Sequence, residues 1–590
     1  MGESTFESLI GISHLCNSKF GIFMSRSALS FYLLLYSGLV SAQLFQPPSY
    51  PSKEFRNPLD IPISLAANFG EIRLNHYHMG LDIRTEHREN LPVYAAADGY
   101  IFRIKIEPFG FGQAIYIRHT NGFISVYAHL NSFYPALASY VKQKQYELER
   151  WDISMELPPD LLIVKKGDLI AFSGNMGGSQ GPHLHFEIRS FPDDINLNPM
   201  LFGLPITDNT SPVIRSLSAY DLNKSFYEQT PSFIPVKGNS GQYTIIRDVL
   251  ILNTPNPGFG ISGFDTQSGS KNPNGIFQGI IYDNGEAVSG FRMDRISYIE
   301  TRGINANIDY PTHQRGGPYY QLLFKMPGYS HSIYHEAKTG GHLHLEDGKL
   351  HLIRIELKDP YGNSSNLIFK VRYQPEEKKI AVFPGKIFYP GMVDGYETPD
   401  VAFYLGEKCL YDSVHLVYQE IPGPDSDIVS ATHHFGSKQI PLADTMTVRI
   451  RLSYPVSQKE RILMQWTDGE DFEVEKPEWL GDWATASFWN FGNFRLVLDT
   501  IPPVINIPGV VENANLQRST RIAVTVQDNN KKIKNFRGTL DGKWLMFTND
   551  KARAFIYHFD ENCKPGNHEL KIYAEDEAGN SATRILHFVR

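Results

Sequence analysis

The chain has 590 residues, which is too long for one hydrophobic core and predicts about three to five domains. Its hydrophobic content of 42% and charged content of 20% are those of a globular protein. The net charge is −8 and no block of basic residues is present, which argues against nucleic-acid binding.

The N-terminal segment predicts export. Arg26 precedes an apolar run over residues 27–39 that is too short to span a bilayer comfortably, and Val40-Ser41-Ala42 form a small-residue cleavage site. We predict a signal peptide over residues 1–42, with Met24 as an alternative start, and a periplasmic, cell-envelope or secreted location. A retained N-terminal anchor is the alternative, but no stop-transfer pattern follows. No later segment resembles a membrane span, so none is expected in the mature chain.

The cysteines limit both the fold and the metal chemistry. Cys16 lies in the predicted leader, which leaves Cys409 and Cys563 far apart in the sequence. This spacing predicts no disulfide framework. It also excludes a zinc site built from cysteine, so any metal must be held by histidine and carboxylate.

The remaining sequence predicts a mainly β protein. A compact antiparallel β-sheet domain is expected first, followed by Ig-like β-sandwich domains. Two short sequence motifs each occur twice. Residues 208–214 match residues 499–505, and residues 359–364 match residues 576–581. These repeats indicate two copies of one sandwich. The predicted boundaries are a linker over 43–58, a first domain over 59–203, an Ig-like sandwich with insertions over 204–374, a β-rich domain over 375–498 and an Ig-like sandwich over 499–590.

Within the first domain, three strands and one insertion are predicted. Residues 100–106, 114–119 and 123–129 have strand composition, and Asn121-Gly122 marks a hairpin turn between the last two. Residues 136–156 are charged and favour helix, which predicts a helical insertion or lid. We expect this insertion to lie along one edge of a groove and to restrict which substrates reach it.

Three short motifs carry the chemistry: residues 78–82, residues 127–130 and residues 181–187. Side chains of a strand repeat with period two, so positions two or four apart project to the same side. His78 and Asp82 are therefore expected to point together, as are His183 and His185.

This donor set predicts a catalytic zinc. Zinc accepts imidazole nitrogen and carboxylate oxygen in tetrahedral geometry, and a catalytic site keeps its fourth position open. We predict one Zn²⁺ per chain, held by His78, Asp82 and His185. His129 and His183 are predicted to be catalytic: one would accept the proton of the attacking water, and the other would stabilise the oxyanion or protonate the leaving amine. Structural core histidines are the alternative, disfavoured by the combination of motifs.

The same motifs resemble the lysostaphin-type (LytM-like) zinc metalloendopeptidase family over about residues 60–200. The segments that carry the resemblance are Asn68-Phe69-Gly70-x-x-Arg73, His78-x-Gly80-x-Asp82, Ala97-Asp98-Gly99, Tyr127-Ala128-His129-Leu130, Lys166-Gly167-Asp168 and Gly181-Pro182-His183-Leu184-His185-Phe186-Glu187. It implies a compact antiparallel β fold, one zinc, and cleavage of peptide bonds in peptidoglycan cross-links or stem peptides. The family's ligands fall on His78, Asp82 and His185, and its catalytic histidines on His129 and His183. Two departures affect substrate choice: a long stretch from His129 to Val164, and Asn175-Met176 in the glycine-rich loop.

The sequence thus predicts an exported zinc metalloendopeptidase that acts on peptidoglycan peptides. A metallopeptidase for Gly-rich proteins and a non-catalytic module that binds wall peptides or regulates a partner are the alternatives. The sequence leaves protein partners open and predicts no cofactor besides zinc. A look-alike segment, Gly341-His342-Leu343-His344-Leu345-Glu346, could hold a second metal, but it lacks an HxxxD partner, and we interpret it as a hairpin on an insertion.

Overall fold

The computed structural model describes residues 44–46, 49–330, 332–337, 341–376, 382–422 and 427–590. The predicted signal peptide, with Cys16, lies outside the described residues. Residues 49–58 of the predicted linker form no helix or strand, and Phe55 from this segment is buried in the core. In the part of the chain that the structure describes, no helix combines the length and the apolar character that a membrane crossing requires.

Residues 59–203 fold as an antiparallel β structure, as predicted. The main sheet contains, in spatial order, Leu65–Ala67, Leu81–Arg84, His183–Ser190, Phe123–Ala128, Gln113–His119, Gly99–Ile106 and Ile153–Glu156, with Ile163–Val164 and Asn196–Leu197 paired off this path. A second sheet contains Pro92–Tyr94, Leu169–Ser173 and Leu130–Phe133, and a small ribbon pairs Ile72–Arg73 with His76–Tyr77. A 3-10 helix over Pro199–Phe202 ends the region.

The three strands predicted from composition are present, and the last one ends earlier than expected. Phe123–Ala128 stops before His129, whose φ of 58° is left-handed. Few residues other than glycine adopt this conformation, and here it redirects the chain. The following strand, Leu130–Phe133, belongs to the second sheet. His129 therefore lies at the corner between the two sheets.

The predicted helical insertion over 136–156 is correct for its first part and wrong for its last. A helix spans Pro135–Leu148 and ends at Glu149, which has left-handed backbone angles. Residues Ile153–Glu156 instead form a strand that pairs antiparallel with Gly99–Ile106. The unpaired edge of the Gly99–Ile106 strand offers backbone hydrogen bonds that a helix could not use, and this outweighs local helix propensity.

The next region forms a large mixed sheet that packs against the first. Its strands, in spatial order, are Gln321–Leu322, Pro257–Phe264, Val213–Asp221, Ser232–Asn239, Gln242–Ile245, Ser364–Tyr373, His351–Lys358, Gln278–Asp283, Glu286–Arg292 and Tyr334–Glu336, with Val249–Leu252 beside Ser364–Tyr373. Its short helices are Phe226–Glu228, Tyr298–Gly303, Ile304–Asn307 and Tyr310–Gln314.

The region over residues 59–203 and this sheet share one hydrophobic core. Buried residues from Phe55 to Val371 form a continuous cluster, and Asn196–Leu197 pairs with Arg295–Ile296 across the two regions. The predicted boundary at 203–204 therefore does not separate two cores. The consequence for the site is that residues beyond 204 can reach it.

Two further β units follow, each with its own core. The first unit contains two five-stranded sheets. One sheet has, in spatial order, the strands Asp394–Glu397, Val401–Leu405, Pro441–Arg451, Trp483–Asn490 and Glu478–Leu480, and the other has Tyr418–Ile421, Thr432–Phe435, Gly492–Leu498, Ile462–Asp468 and Asp471–Glu475. A ribbon pairs Lys386–Phe388 with Val414–Leu416, and a 3-10 helix spans Lys459–Arg461. The last unit contains a three-stranded and a five-stranded sheet. The first sheet has, in spatial order, Val504–Asn506, Arg521–Gln527 and Phe555–His558, and the second has Ala514–Asn515, Ser581–Val589, Asn567–Asp576, Ile533–Leu540 and Lys543–Trp544. A 3-10 helix spans Asp550–Ala552. Cys409 and Cys563 are free and buried in these two separate cores.

Candidate metal centre

The register of three neighbouring strands assembles the predicted site. His185 lies on the strand His183–Ser190 directly opposite Asp82 on one side and opposite Ala128 on the other. His129 follows Ala128 at the sheet corner, and His183 precedes His185 by two positions on the same face. Residues about fifty and a hundred positions apart in sequence therefore meet at one end of the main sheet.

Three ligand atoms converge on one point. Asp82 Oδ1 lies 2.9 Å from His78 Nε2 and 2.9 Å from His185 Nδ1. The two ring nitrogens are 3.1 Å apart. Tetrahedral zinc with bonds of about 2.0–2.1 Å separates its nitrogen and oxygen ligands by roughly 3.4 Å, so these atoms need only a small outward movement to bind it.

The hydrogen bonds behind the two ligand histidines fix which nitrogen faces the centre. His78 Nδ1 donates to Asn68 O at 2.7 Å, and His185 Nε2 donates to Glu187 Oε1 at 3.0 Å. In the neutral rings, His78 Nε2 and His185 Nδ1 are then both acceptors. Two acceptor nitrogens and a carboxylate facing each other require a cation, so the residues present fit zinc.

A buried network supports His185 from behind. Glu187 is fully buried and accepts from Arg189 Nε at 2.7 Å and from Tyr298 OH at 2.9 Å. Tyr298 comes from the adjoining sheet region, more than a hundred residues further on. No local sequence signal marked it, because its role depends on packing between the two regions.

The electrostatics of the centre favour a bound cation. Burial alone would raise the pKa of Asp82, but His78 and hydrogen bonds from the neighbouring histidines hold it well below its usual value. Burial would lower the pKa of His185, yet Asp82 and Glu187 raise it to about 9. The carboxylates thus stabilise positive charge at this point, whether that charge is a proton or a metal ion.

The rings of His129 and His183 are each held by a hydrogen bond from Nδ1 to a backbone carbonyl oxygen. His129 Nδ1 donates to Met176 O at 2.7 Å, and His183 Nδ1 donates to Gly181 O at 2.8 Å. Their rings lie side by side, with centroids 4.7 Å apart. His183 Nε2 is 3.2 Å from Asp82 Oδ1. Burial and the neighbouring His183 and His185 lower the pKa of His129 to about 3, so its imidazole is neutral.

Close packing explains the glycine between His78 and Asp82. A Cβ atom at Gly80 would lie 2.6 Å from Phe186 O and 2.9 Å from His185 Nε2. Only glycine lets this turn approach the His183–Ser190 strand closely enough for His78 and Asp82 to meet His185.

The C-terminal β unit also contacts the site, which the sequence did not indicate. Lys551 Nζ donates to three carbonyl oxygens of the glycine-rich loop: Asn175 O at 2.7 Å, Gly177 O at 2.9 Å and Ser179 O at 2.6 Å. Asp550 Oδ1 accepts from Gly177 N at 2.7 Å. This loop supplies the Met176 carbonyl that holds His129. The C-terminal unit therefore holds the glycine-rich loop, whose Met176 carbonyl orients the predicted catalytic residue His129.

The helix Pro135–Leu148 contacts the same C-terminal unit. Lys142 Nζ lies 2.7 Å from Asp560 Oδ2 and 2.9 Å from Glu561 Oε1, and Tyr146 packs edge-on against Trp544 at 5.2 Å. The inner face of the helix buries Leu137, Val141 and Gln145. The helix thus bridges the first region and the C-terminal unit, and its predicted role in restricting access to the groove stays a prediction.

Two family models match parts of the chain, and one of them covers part of this site. Residues 76–146 match the family model of peptidase family M23, a range that contains His78, Asp82 and His129. Residues 386–499 match the Zu5-like domain, which overlaps the predicted β-rich domain over 375–498.

Two curated relatives match part of the chain. The DD-carboxypeptidase/endopeptidase Mpg of Neisseria meningitidis serogroup B is 33% identical over 133 residues, which are 22% of this chain and 24% of that protein. The peptidoglycan DD-endopeptidase ShyA of Vibrio cholerae is 28% identical over 162 residues, 26% of this chain and 31% of that protein. The chain thus spans about a quarter to a third of the length of these relatives. The catalytic domain of lysostaphin from Staphylococcus simulans is 25% identical with a TM-score of 0.18, covering 24% of this chain and 91% of that one.

The antiparallel β fold carries a His/Asp/His group that could hold a metal ion. Within this fold, residues 76–146 match a domain of peptidase family M23.

Proposed function

We propose that the chain is an exported, active zinc metalloendopeptidase that hydrolyses peptide bonds of peptidoglycan cross-links or stem peptides. The observation that carries this proposal is the convergence of His78 Nε2, Asp82 Oδ1 and His185 Nδ1 within 3.1 Å of one another. Peptidoglycan as substrate is supported by relatives whose names describe DD-endopeptidases of peptidoglycan.

In this mechanism His78, Asp82 and His185 hold one zinc ion. When bound, zinc supplies a Lewis acid that polarises the scissile carbonyl and lowers the pKa of nearby water towards neutrality. Neutral His129, with its Nδ1 proton committed to Met176 O, has Nε2 free to accept the proton of the attacking water. His183 donates from Nδ1 to Gly181 O, so it stabilises the oxyanion or protonates the leaving amine only when Nε2, which lies 3.2 Å from Asp82 Oδ1, also carries a proton.

Muropeptide analysis tests this proposal directly. The mature chain, residues 43–590, is incubated with isolated sacculi, and the released fragments are identified by mass spectrometry, with the Asp82→Ala variant as control. New peptide ends that only the parent protein produces would support the proposal and identify the bond. Binding to sacculi without new ends would favour the non-catalytic wall-peptide-binding module. Cleavage restricted to Gly-rich proteins would favour the other peptidase alternative.

A further inference from the structure

Three buried carboxylates meet at one end of the large mixed sheet, in a group separate from His78, Asp82 and His185. Asp208 precedes the strand Val213–Asp221, Asp265 directly follows Pro257–Phe264, and Asp359 directly follows His351–Lys358. Each offers an oxygen, and these oxygens lie within 4.8 Å of one another. The three residues are only 8%, 3% and 2% exposed, so the cluster is removed from bulk water.

The charge of this cluster is not balanced by protein groups. Among the described residues, no Lys, Arg or His side chain forms an ion pair with Asp208, Asp265 or Asp359. Asp265 Oδ1 is buried and has no hydrogen-bond partner. Burial and the neighbouring Asp359 and Asp208 raise the pKa of Asp265 to about 8. A buried, unpaired carboxylate destabilises a fold unless a ligand or a proton compensates it.

The backbone holds the other two carboxylates in place. Asp208 Oδ1 accepts from Thr210 N at 3.0 Å, and Asp359 Oδ1 accepts from Asn363 N at 2.8 Å. Asn363 also donates from Nδ2 to Asp208 O at 3.2 Å, which ties the two segments together. These hydrogen bonds fix the orientation of both carboxylates.

The same arrangement recurs in the C-terminal unit. Asp499, Asp528 and Asp576 again bring oxygens within 4.8 Å of one another, and Asp528 Oδ1 is again buried without a partner. Asn580 Nδ2 donates to Asp499 O at 3.1 Å, the counterpart of the bond from Asn363 to Asp208. Two copies of the repeat thus keep three mutually repelling carboxylates, which indicates a shared requirement for a positively charged ligand.

We propose that Asp208, Asp265 and Asp359 bind one divalent cation of the calcium class, at a site separate from the zinc centre. Carboxylate oxygens without imidazole or thiolate are the donors that hard cations such as Ca²⁺ prefer. The ion would join the segment that leaves the peptidase region to two strand ends of the large sheet. It would also fix the loop of Gln267, which accepts from Leu65 N at 3.0 Å and donates to Ile63 O at 2.9 Å.

Calcium binding by the full mature chain tests this site. Calcium is removed on a chelating resin, zinc is restored at one equivalent, and bound ⁴⁵Ca is counted by equilibrium dialysis. The parent is compared with Asp265→Asn and with Asp248→Asn, which makes the same charge change at an exposed position of the same region. We expect Asp265→Asn to lose one bound calcium per chain relative to the parent, and Asp248→Asn to lose none.

Thermal unfolding gives a second, independent measurement, in which the difference in Tm between the parent and Asp265→Asn is expected to change sign when calcium is added. Without calcium and above pH 8, where Asp265 is ionised, Asp265→Asn is expected to unfold at a higher temperature than the parent, because it removes charge repulsion within the cluster. With millimolar calcium, the parent is expected to gain stability and to exceed the variant, because a ligand of the folded state raises its Tm. A parent that binds no calcium at millimolar concentration would overturn the proposal, and so would an Asp265→Asn variant that binds as many ions as the parent.

Discussion

Two segments of this chain contain His-Leu-His shortly after a glycine, and among the described residues only the first of them contributes to a group of side chains that could hold a metal ion. Residues 181–187 place His183 and His185 on a strand between two others, and His185 lies opposite Asp82. Residues 341–346 lie in the loop between Tyr334–Glu336 and His351–Lys358, and they form no strand. The expected hairpin at this position was therefore wrong.

The two His-Leu-His segments have similar sequences, but their histidines contact different kinds of residue. In the loop, His344 Nδ1 contacts Asn256 Oδ1 at 2.8 Å, and Leu345 is fully buried with its N donating to Pro255 O at 2.8 Å. Among the described residues, the groups of side chains able to hold a metal do not include His342 or His344. His331 lies outside the described residues, and His335 is exposed with its ring against Phe45. A metal centre thus depends on neighbouring strands and not on a short motif.

The largest effect on bound zinc is expected from a change at Asp82, which lies opposite His185 of the first segment. Asp82→Ala is expected to lower zinc from one ion per chain to almost none, because two imidazoles rarely hold a catalytic zinc alone. Elemental analysis of the purified protein measures this. Asp347→Ala, at the carboxylate next to the look-alike segment, is the control and should keep the ion. Full zinc occupancy in Asp82→Ala would remove Asp82 from the ligand set.

The second prediction separates metal binding from catalysis within the true site. His129→Ala and His183→Ala are each expected to keep zinc but to lower kcat by about 10²-fold or more, as expected for lost proton transfer or oxyanion stabilisation. Turnover of a defined muropeptide, measured beside zinc content, checks both parts. An unchanged kcat would exclude that residue from the mechanism, whereas loss of zinc would make it a ligand.

The third prediction concerns the support that the C-terminal unit gives to the glycine-rich loop. Lys551→Met removes three hydrogen bonds to this loop and should lower kcat by roughly tenfold with zinc retained, because small displacements of a catalytic group reduce rates strongly. Lys564→Met, an exposed lysine of the same unit, is the matched control. Equal kcat values for the two variants would show that the loop holds its conformation without Lys551.

The smallest effect is expected at the look-alike segment itself. His342→Ala and His344→Ala should leave zinc content and kcat unchanged, since these side chains lie outside the metal centre. A fall in bound zinc below that of the parent would reveal a second metal site and would contradict the comparison drawn above.

The sequence by itself predicted which histidine and aspartate side chains meet at the candidate centre. The motifs around His78, His129 and His183 contain all five of them, and period-two alternation correctly placed His183 and His185 on one face. Composition and the Asn121-Gly122 turn also predicted the strands Gln113–His119 and Phe123–Ala128. These features follow from local rules, because strand alternation and turn preference depend on residues close in sequence.

Only the tertiary structure decided which groups support that chemistry and where the helical insertion ends. Tyr298 reaches Glu187, and Lys551 reaches the loop at Gly177, from units that follow the first domain. The third carboxylate of the acidic cluster, Asp265, also carried no sequence signal, since the repeat marked only Asp208 and Asp359. Such contacts join residues more than fifty positions apart, and they depend on strand register and on shared cores that no short segment encodes.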